Sequence, residues 1–228
     1  LGAGALQRLT TVAGAAGHLL AVLAPDAPPV FGVTVRGLVQ GDVAEHVLGA
    51  ALGEALVRWT GQRVTPVNAR LVADEIGLRI RVRQDDPNPE RLPSFELEIA
   101  DAPDADPLHH VAVRWDRVDA AIMEVDGFGL NSPLEGDVLI THHRDQPGVI
   151  GRVGTIMGRF DVNIAGMQVG RRRARRGGEA IMVLNVDDAI PDAALAEIMS
   201  VAGIETAFVV SLPRVGAPEN ALALARGA

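Results

Sequence analysis

Polar side chains and a glycine gather at one predicted turn, where an apolar strand runs into an amphipathic helix, within the segment Asp137–Gly170. His143 ends the strand, and the run Asp145-Gln146-Pro147-Gly148 leads into the helix. The first N–H groups of a helix are unpaired and carry a partial positive charge, which suits a carboxylate. An aspartate and a backbone carbonyl suit an ammonium group and a hydroxyl. These residue types at this spacing indicate a receptor for a small amino acid rather than a catalytic centre.

Each polar residue of this turn also has an ordinary structural explanation. Asp145 could cap the helix, His143 could be a surface residue, and Asn163, at the start of the next strand, could form a turn. In the ligand-binding interpretation, Asn163 would reach either the same site or the site of a partner subunit. A metal ion shared by His142, His143 and Asp145 is disfavoured, because adjacent strand residues face opposite sides of a sheet.

The elements around the turn follow the order strand, helix, strand, strand, helix, strand, which is the ferredoxin-like βαββαβ arrangement. We predict this unit over residues 134–213, followed by a flexible tail at residues 214–228. Apolar residues recur along one side of each helix, so both helices should cover the same face of an antiparallel sheet. The other face and an edge would then be open to a partner. The predicted elements are Val138–His142, Pro147–Phe160, Asn163–Val169, Glu179–Val186, Pro191–Val201 and Glu205–Ser211.

Residues 1–133 are predicted to form a mixed α/β unit, joined to the second unit near Asn131–Gly136. Leucines and alanines at helical spacing predict a helix over Leu6–Ala24, and Val30–Val39 alternates like a half-buried strand. The whole chain is therefore predicted to be α+β. Further predicted features are a helix over Asn68–Ile76 closed by Gly77, and a tight turn at Asp126-Gly127.

Composition excludes several kinds of chemistry. The 228 residues include no cysteine, which removes disulfides, thiolate metal sites and cysteine nucleophiles, and all 21 basic residues are arginine, which removes Schiff-base lysines. A net charge of −8 argues against a nucleic-acid partner, and the arginine run Arg171–Arg176 is better explained as a hairpin loop. No apolar run suggests a membrane span. We expect a cytoplasmic protein which, beginning at Leu1, is a piece of a longer chain or a processed one.

Two stretches of the second unit resemble a known family. HHRDQPGVIGRVGTIMGRFDVNIAGMQVGR and, after it, GGEAIMVLNVDDAIPDAAL are similar to the ACT domain that ends many D-3-phosphoglycerate dehydrogenases. In the first unit, VNARLVADEIGL (Val67–Leu78) and MEVDGFGLNSPLEGDVLI (Met123–Ile140) resemble the intervening, or allosteric-substrate-binding, domain of the long form of that enzyme. The resemblance extends from about Leu6 to Leu212. The VNIAGMQVGR run is quite specific, whereas the rest of the ACT pattern is shared by many amino-acid regulators.

The resemblance implies an allosteric and oligomerisation region that binds L-serine, the end product of the pathway, between two ACT domains paired edge to edge. Carried over by position, His143 and Asp145 would contact serine from one subunit and Asn163 from the facing one. The chain departs from the pattern of that family at two places. Gln146 stands where an arginine commonly precedes Pro-Gly, and the basic anion site of some intervening domains has no clear match around Asp119–Leu130. The residues implied for the ligand site are His143, Asp145, Pro147, Gly148, Val149, Ile150, Asn163 and Ile164.

The dehydrogenase chemistry of that family, NAD-dependent oxidation of 3-phosphoglycerate, has no counterpart in this stretch. No G-x-G-x-x-G follows a predicted strand, and no histidine–carboxylate pair with an arginine anchor can be assigned. We therefore expect a chain that is not an enzyme on its own, without catalytic residue, metal or cofactor, and NAD bound in a catalytic part outside it. Three alternatives stay open: the small subunit of an iron–sulfur L-serine dehydratase, a stand-alone amino-acid sensor, and a domain that only holds subunits together.

Overall fold

The computed structural model describes residues 2–37, 42–85, 92–116, 119–172 and 177–214, which form five helices and ten strands in two sheets. The mixture of helices and sheets confirms the predicted α+β class. The helices are α1 (Ala3–Leu23), α2 (Val43–Thr60), α3 (Ala69–Glu75), α4 (Val149–Arg159) and α5 (Asp192–Met199). The strands are β1 (Val30–Arg36), β2 (Arg79–Gln84), β3 (Ser94–Ala100), β4 (His109–Trp115), β5 (Ala120–Val125), β6 (Phe128–Pro133), β7 (Gly136–Arg144), β8 (Ile164–Arg171), β9 (Glu179–Val186) and β10 (Ile204–Leu212).

The first sheet has six strands in the order β2-β1-β3-β4-β5-β6. β1 and β2 are parallel, and the other neighbouring pairs are antiparallel. Alternating apolar residues such as Phe31, Phe95 and Leu97 direct one face of this sheet into a core with α1 and α2. The two helices approach closely because α1 is rich in small residues: a Cβ at Gly17 would meet the backbone of Ala51.

Two local predictions in the first part of the chain are confirmed. Gly77, just beyond the end of α3, has φ +75°, the left-handed conformation that closes a helix. Asp126 and Gly127 have φ +51° and +81°, as expected for a tight turn between two antiparallel strands.

The second sheet has four antiparallel strands in the order β10-β7-β9-β8. Both α4 and α5 cover one of its faces, with Val153, Met157 and Ile198 buried in the core between them and the sheet. The predicted ferredoxin-like arrangement is therefore confirmed. α4 begins at Val149, two residues later than predicted, because Gly148 has a left-handed backbone with φ +90° that a helix cannot contain.

The other face of the second sheet is not open to a partner, contrary to prediction. Val138, Ile140, Ile181, Val183 and Val210 point away from α4 and α5 and belong to the same apolar core as the first sheet and α1. The chain itself therefore covers the central strands of this sheet on both faces, whereas the outer strand β8 keeps several exposed side chains.

Strand β6 was not predicted and occupies part of the expected junction at Asn131–Gly136. It completes the first sheet by pairing with β5, and it also packs across β8 and β9. The approach is close at Gly170, where a Cβ would lie 3.0 Å from the carbonyl oxygen of Gly129. The Ser132 hydroxyl donates a hydrogen bond of 2.7 Å to Oδ1 of Asn185 on β9. The last strand of the first sheet thus ties the two sheets together.

Some predicted features lie outside the described residues. They are the end of the strand predicted up to Val39, the arginines Arg173–Arg176 between β8 and β9, and the tail beyond residue 214.

Candidate functional site

The turn between β7 and α4, with its flanking residues, carries six of the eight predicted ligand residues at one end of the second sheet. His143 is the second-last residue of β7 and lies on the face that the helices cover. It is only 3 % exposed, and its Nδ1 is 3.3 Å from the Thr141 hydroxyl on the same face. The ring is therefore a buried side chain, which excludes the alternative of a surface residue.

The backbone of the turn presents the start of α4. Gly148 adopts the left-handed conformation before the helix, and the buried Val149 anchors the first turn in the core. Pro147, Gly148 and Ile150 are exposed. The Val149 N–H, the first of α4, donates to the Gln146 carbonyl at 3.4 Å. The next N–H groups have no acceptor one turn earlier within the helix, so they can meet a ligand or solvent. No side chain caps this helix at Gly148.

Asp145 pairs with an arginine instead of capping α4. Its Oδ2 lies 3.2 Å from Nε of Arg171, the last residue of β8, and its side chain is 17 % exposed. Its backbone is held on both sides, since its N–H donates to the Gly178 carbonyl at 2.8 Å and its own carbonyl accepts from Gly177 at 3.1 Å. The carboxylate is therefore placed beside the start of α4 with a positive partner.

Asn163 and Ile164 lie at the opposite end of the same sheet. Ala180 on β9 is opposite both His143 and Arg171, whereas Val186 is opposite Ile164. Six residues of strand separate these two levels, or about 20 Å at ~3.3 Å per residue. The Asn163 amide donates a hydrogen bond to Asp187. Within one chain, Asn163 therefore cannot share a small ligand with Asp145.

The electrostatics of the turn favour a neutral imidazole next to a charged pair. Burial lowers the pKa of His143, against the smaller opposing effect of the nearby Asp145 charge. The ring is then uncharged near neutral pH and can act as a hydrogen-bonding group, while Arg171 and Asp145 supply opposite charges.

A second polar cluster lies between the two sheets. The Asp126 carboxylate accepts hydrogen bonds from His109 at 2.9 Å and from His142 at 3.2 Å, and the N–H of His110 donates to it at 2.9 Å. We call Asp126, His109 and His142 the interdomain clasp, because His142 comes from the second sheet and the other two from the first. Burial alone would raise the pKa of Asp126, but these hydrogen bonds outweigh it and hold the pKa well below its ordinary value.

The clasp lines a cleft of about 530 Å³ between the sheets. His143 also borders this cleft, with Phe128 and Phe208 among its apolar walls. Arg172 closes one side: it lies over the Phe128 ring at 5.1 Å and donates to the Asp126 carbonyl at 2.9 Å. Many polar groups of the cleft thus bond to one another.

The sequence did not indicate the clasp, although it predicted the turn at Asp126-Gly127. No spacing rule connects Asp126 with His142, because their contact depends on how the two sheets pack. A shared metal ion at His142, His143 and Asp145 was disfavoured. In the described parts of the chain, no group of three or more histidine, aspartate or glutamate side chains is arranged to hold a metal ion.

The sequence of the second sheet and its helices matches a family model. The ACT domain model matches residues 138–203, which cover β7 through α5 and include the complete β7–α4 turn. Residues 138–203 are an ACT domain. The βαββαβ order and the helix-covered sheet are those of this domain. Its candidate ligand residues other than Asn163 and Ile164 lie at the end of the ACT sheet where α4 begins.

Similarity to whole proteins extends beyond the ACT domain. The chain is 37 % identical over 179 residues to a D-3-phosphoglycerate dehydrogenase of Synechocystis, an alignment that covers 76 % of this chain and 32 % of that enzyme. It is 26 % identical over 176 residues to the D-3-phosphoglycerate dehydrogenase of Mycobacterium tuberculosis, covering 77 % of this chain and 33 % of the relative. The enzyme of the same name from Archaeoglobus fulgidus is 44 % identical over 91 residues, 40 % of this chain and 17 % of the relative.

The chain thus spans about a third or less of the length of the curated relatives it matches. The longer alignments cover about three quarters of this chain, more than the ACT domain alone, and so include part of the first sheet or its helices. Among the helices that the structure describes, none combines the length and the apolar character needed to cross a membrane.

Proposed function

We propose that this chain is the allosteric regulatory and oligomerisation region of an NAD-dependent D-3-phosphoglycerate dehydrogenase, and that its ACT domain binds L-serine at an interface between two subunits. In this proposal the chain is not itself an enzyme. Catalysis and NAD binding belong to a catalytic part of the enzyme. Serine binding to the ACT domain changes the activity of that part. The enzyme would be cytoplasmic, with no nucleic-acid or membrane partner.

The observation that carries the proposal is the β7–α4 turn of an ACT domain in a chain similar to these dehydrogenases. The turn joins a buried neutral histidine, a carboxylate and the start of a helix. Serine carries a carboxylate, an ammonium and a hydroxyl on three carbons, and these groups complement that arrangement. Similarity to D-3-phosphoglycerate dehydrogenases also supports this reading over a dehydratase subunit or a stand-alone sensor.

The edge strand β8 suits pairing between two ACT domains. β8 is an outer strand of the described four-stranded sheet, and its Met167 and Val169 are 41 % and 37 % exposed. Apolar side chains on an open edge are typical of an interface. The sheet of one subunit would then continue into that of its partner.

The positions of residues along β8 connect this pairing with the ligand site. Asn163 and Arg171 each lie four residues from Met167. β8 has a bulge between Ile164 and Gly166, so this count is not an exact strand register. In an antiparallel, two-fold pairing centred near Met167, Asn163 of one subunit would lie near the level of Arg171 of the other. Arg171 contacts Asp145. Asn163, remote from Asp145 within its own chain, would in this dimer reach the site of its partner.

The test is calorimetric titration of the purified chain with L-serine, with glycine and D-serine as controls. We expect stereospecific binding of L-serine, and its loss in Asp145→Ala. Asp74→Ala is the matched control, because Asp74 is an exposed aspartate on α3, where the backbone is helical and alanine fits. Circular dichroism would verify that each variant is folded.

Absence of L-serine binding to the folded wild-type chain would contradict the proposed ligand. Unchanged affinity in Asp145→Ala would refute the assigned site while leaving a serine-binding function in place. Size-exclusion chromatography of the wild type tests the oligomer separately, and a monomer at all concentrations would refute edge pairing.

A further inference from the structure

Arg171 is not among the ligand residues that the sequence of the turn indicated. It is the last residue of β8 and lies opposite Ala180, which is also opposite His143. Side chains alternate along a strand, so Arg171 faces the same side as Met167, which pairs with the helix-facing Leu184. Arg171 and the start of α4 therefore share one face and one end of the sheet.

The contact that Arg171 makes joins an exposed guanidinium to a mostly buried carboxylate. Its Nε lies 3.2 Å from Oδ2 of Asp145, and the two side chains are 52 % and 17 % exposed. Solvent screens the arginine end of the pair, whereas the buried carboxylate needs a positive or hydrogen-bonding partner. A ligand whose ammonium binds Asp145 supplies that partner, so the direct contact with Arg171 can be replaced.

A free amino acid is such a ligand, because it is a zwitterion. Asp145 can accept hydrogen bonds from its ammonium, and its carboxylate then needs donors on the opposite side. A guanidinium offers two parallel N–H groups that match a carboxylate. The helix start alone supplies only part of a positive charge.

Other groups at this turn are less suited to that role. Gln146 is neutral and its Oε1 is directed toward Gly203. The lowered pKa of His143 keeps its ring uncharged. Of the nearby arginines, Arg144 pairs with Glu205 at 2.7 Å. Arg152 also lies beside the turn, since its Nη1 would be 3.6 Å from a Cβ at Gly148, and it donates to the Ala202 carbonyl at 3.2 Å. Arg171 is distinguished by its direct contact with Asp145.

We propose that Arg171 binds the carboxylate of the amino-acid ligand while Asp145 binds its ammonium, so that the ligand is inserted into the Arg171–Asp145 ion pair. The arginine supplied by the end of β8 thereby takes the place of a cation at position 146. This inference rests on the proposed function, since it assigns a further residue to the same amino-acid site.

The experiment compares two ligands on four proteins by calorimetry. L-serine carries the carboxylate, whereas L-serinamide lacks it and keeps the ammonium and the hydroxyl. The proteins are the wild-type chain, Arg171→Ala, Arg171→Lys and the control Arg159→Ala. Arg159 is also an exposed arginine paired with a carboxylate, Glu197, but lies at the far end of α4.

We expect the wild type and Arg159→Ala to bind L-serine at least about tenfold more tightly than L-serinamide. In Arg171→Ala that ratio should fall toward one, because serine binding is lost and serinamide binding changes little. Arg171→Lys should recover part of the ratio, since it restores the charge without the two-pronged geometry.

Three outcomes would overturn the inference. An unchanged ratio in Arg171→Ala would show that Arg171 does not contact the carboxylate. An equal loss for both ligands would show that Arg171 only positions Asp145. If the wild type binds no amino acid at all, the proposed function fails first, and the assignment of Arg171 fails with it.

Discussion

The substitution Asp126→Asn tests whether the interdomain clasp stabilises the packing of the two sheets. Asp126 is 13 % exposed and accepts hydrogen bonds from His109, His142 and the N–H of His110. Asparagine keeps the shape of the side chain and tolerates the φ of +51° at this position. It removes the negative charge and one acceptor oxygen. Either the two imidazole N–H groups at Oδ2 or the His110 N–H at Oδ1 therefore lose their acceptor.

The expected loss of stability follows from these contacts. Hydrogen bonds to a charged group contribute about 1.5–3 kcal/mol each, and leaving a buried donor unpaired costs about 1–3 kcal/mol. Because the histidines are 25 % and 19 % exposed, water can replace part of the lost bonding. We therefore expect Asp126→Asn to lower the free energy of unfolding by about 2 kcal/mol at neutral pH.

The effect has a defined pH dependence. The folded pKa of Asp126 lies below the unfolded value of ~3.9, so its stabilisation is fully present above that value. It is lost as the pH falls through the folded pKa. The difference between wild type and Asp126→Asn should accordingly be largest above about pH 5 and shrink in stronger acid.

Urea unfolding followed by circular dichroism measures this difference. Asp161→Asn is the control, because Asp161 has a similar left-handed backbone, with φ +59°, but an exposed side chain. A loss in Asp126→Asn no larger than that in Asp161→Asn, or a loss that does not diminish in acid, would refute the assigned role of the clasp.

Three further predictions follow from other contacts. Gly170→Ala should lower the free energy of unfolding by about 1–3 kcal/mol, because its Cβ would lie 3.0 Å from the Gly129 carbonyl oxygen. The control Gly158→Ala should not lower it, because a Cβ there meets no neighbouring atom within 4 Å outside its own helix backbone. Equal effects of the two substitutions in urea titration would contradict the packing of β6 on β8. His110→Gln and His143→Gln should change the pH dependence of stability in opposite directions. Contact with Glu96 raises the pKa of His110, so the contribution of His110 to stability is present below the unfolded value of ~6.5 and is lost as pH rises. Burial lowers the pKa of His143, so the contribution of His143 to stability is lost as pH falls. Parallel profiles of the two variants in thermal unfolding between pH 5 and 9 would contradict these assignments. Met167→Glu should convert the oligomer to a smaller species in size-exclusion chromatography. Met199→Glu on α5 is the control, because Met199 is similarly exposed, and it should leave the elution volume unchanged. An unchanged elution volume for Met167→Glu would argue against pairing through β8.

The sequence predicted the ACT fold well because its elements have strong periodic patterns. The stripe of Val149, Val153, Ile156 and Met157 on α4 is unambiguous, and so is the order of strands and helices. Strand β6 was missed because Asn131-Ser132-Pro133 has the composition of a linker. Its pairing with β5 and its packing on β8 are tertiary contacts that local preference does not encode.

One signal for the buried second face was present in the sequence. β9 contains the unbroken apolar run Ala180-Ile181-Met182-Val183-Leu184, and a strand with one open face would alternate instead. For the candidate site, residue types and spacing located His143 and Asp145. They could not indicate that Arg171 would lie beside Asp145, because the two meet only when β8 and β7 are placed on either side of β9.

The burial of both faces of the ACT sheet bears on how the chain can be dissected. A cut before Gly136 follows the junction suggested by sequence, yet it would bare Ile140, Ile181, Val183 and Val210 to water. A fragment beginning there would retain its hydrogen-bonded strands, but it would expose a contiguous apolar surface of the kind that causes aggregation. Recombinant fragments should therefore keep α1 and the first sheet attached, so that this apolar face stays covered.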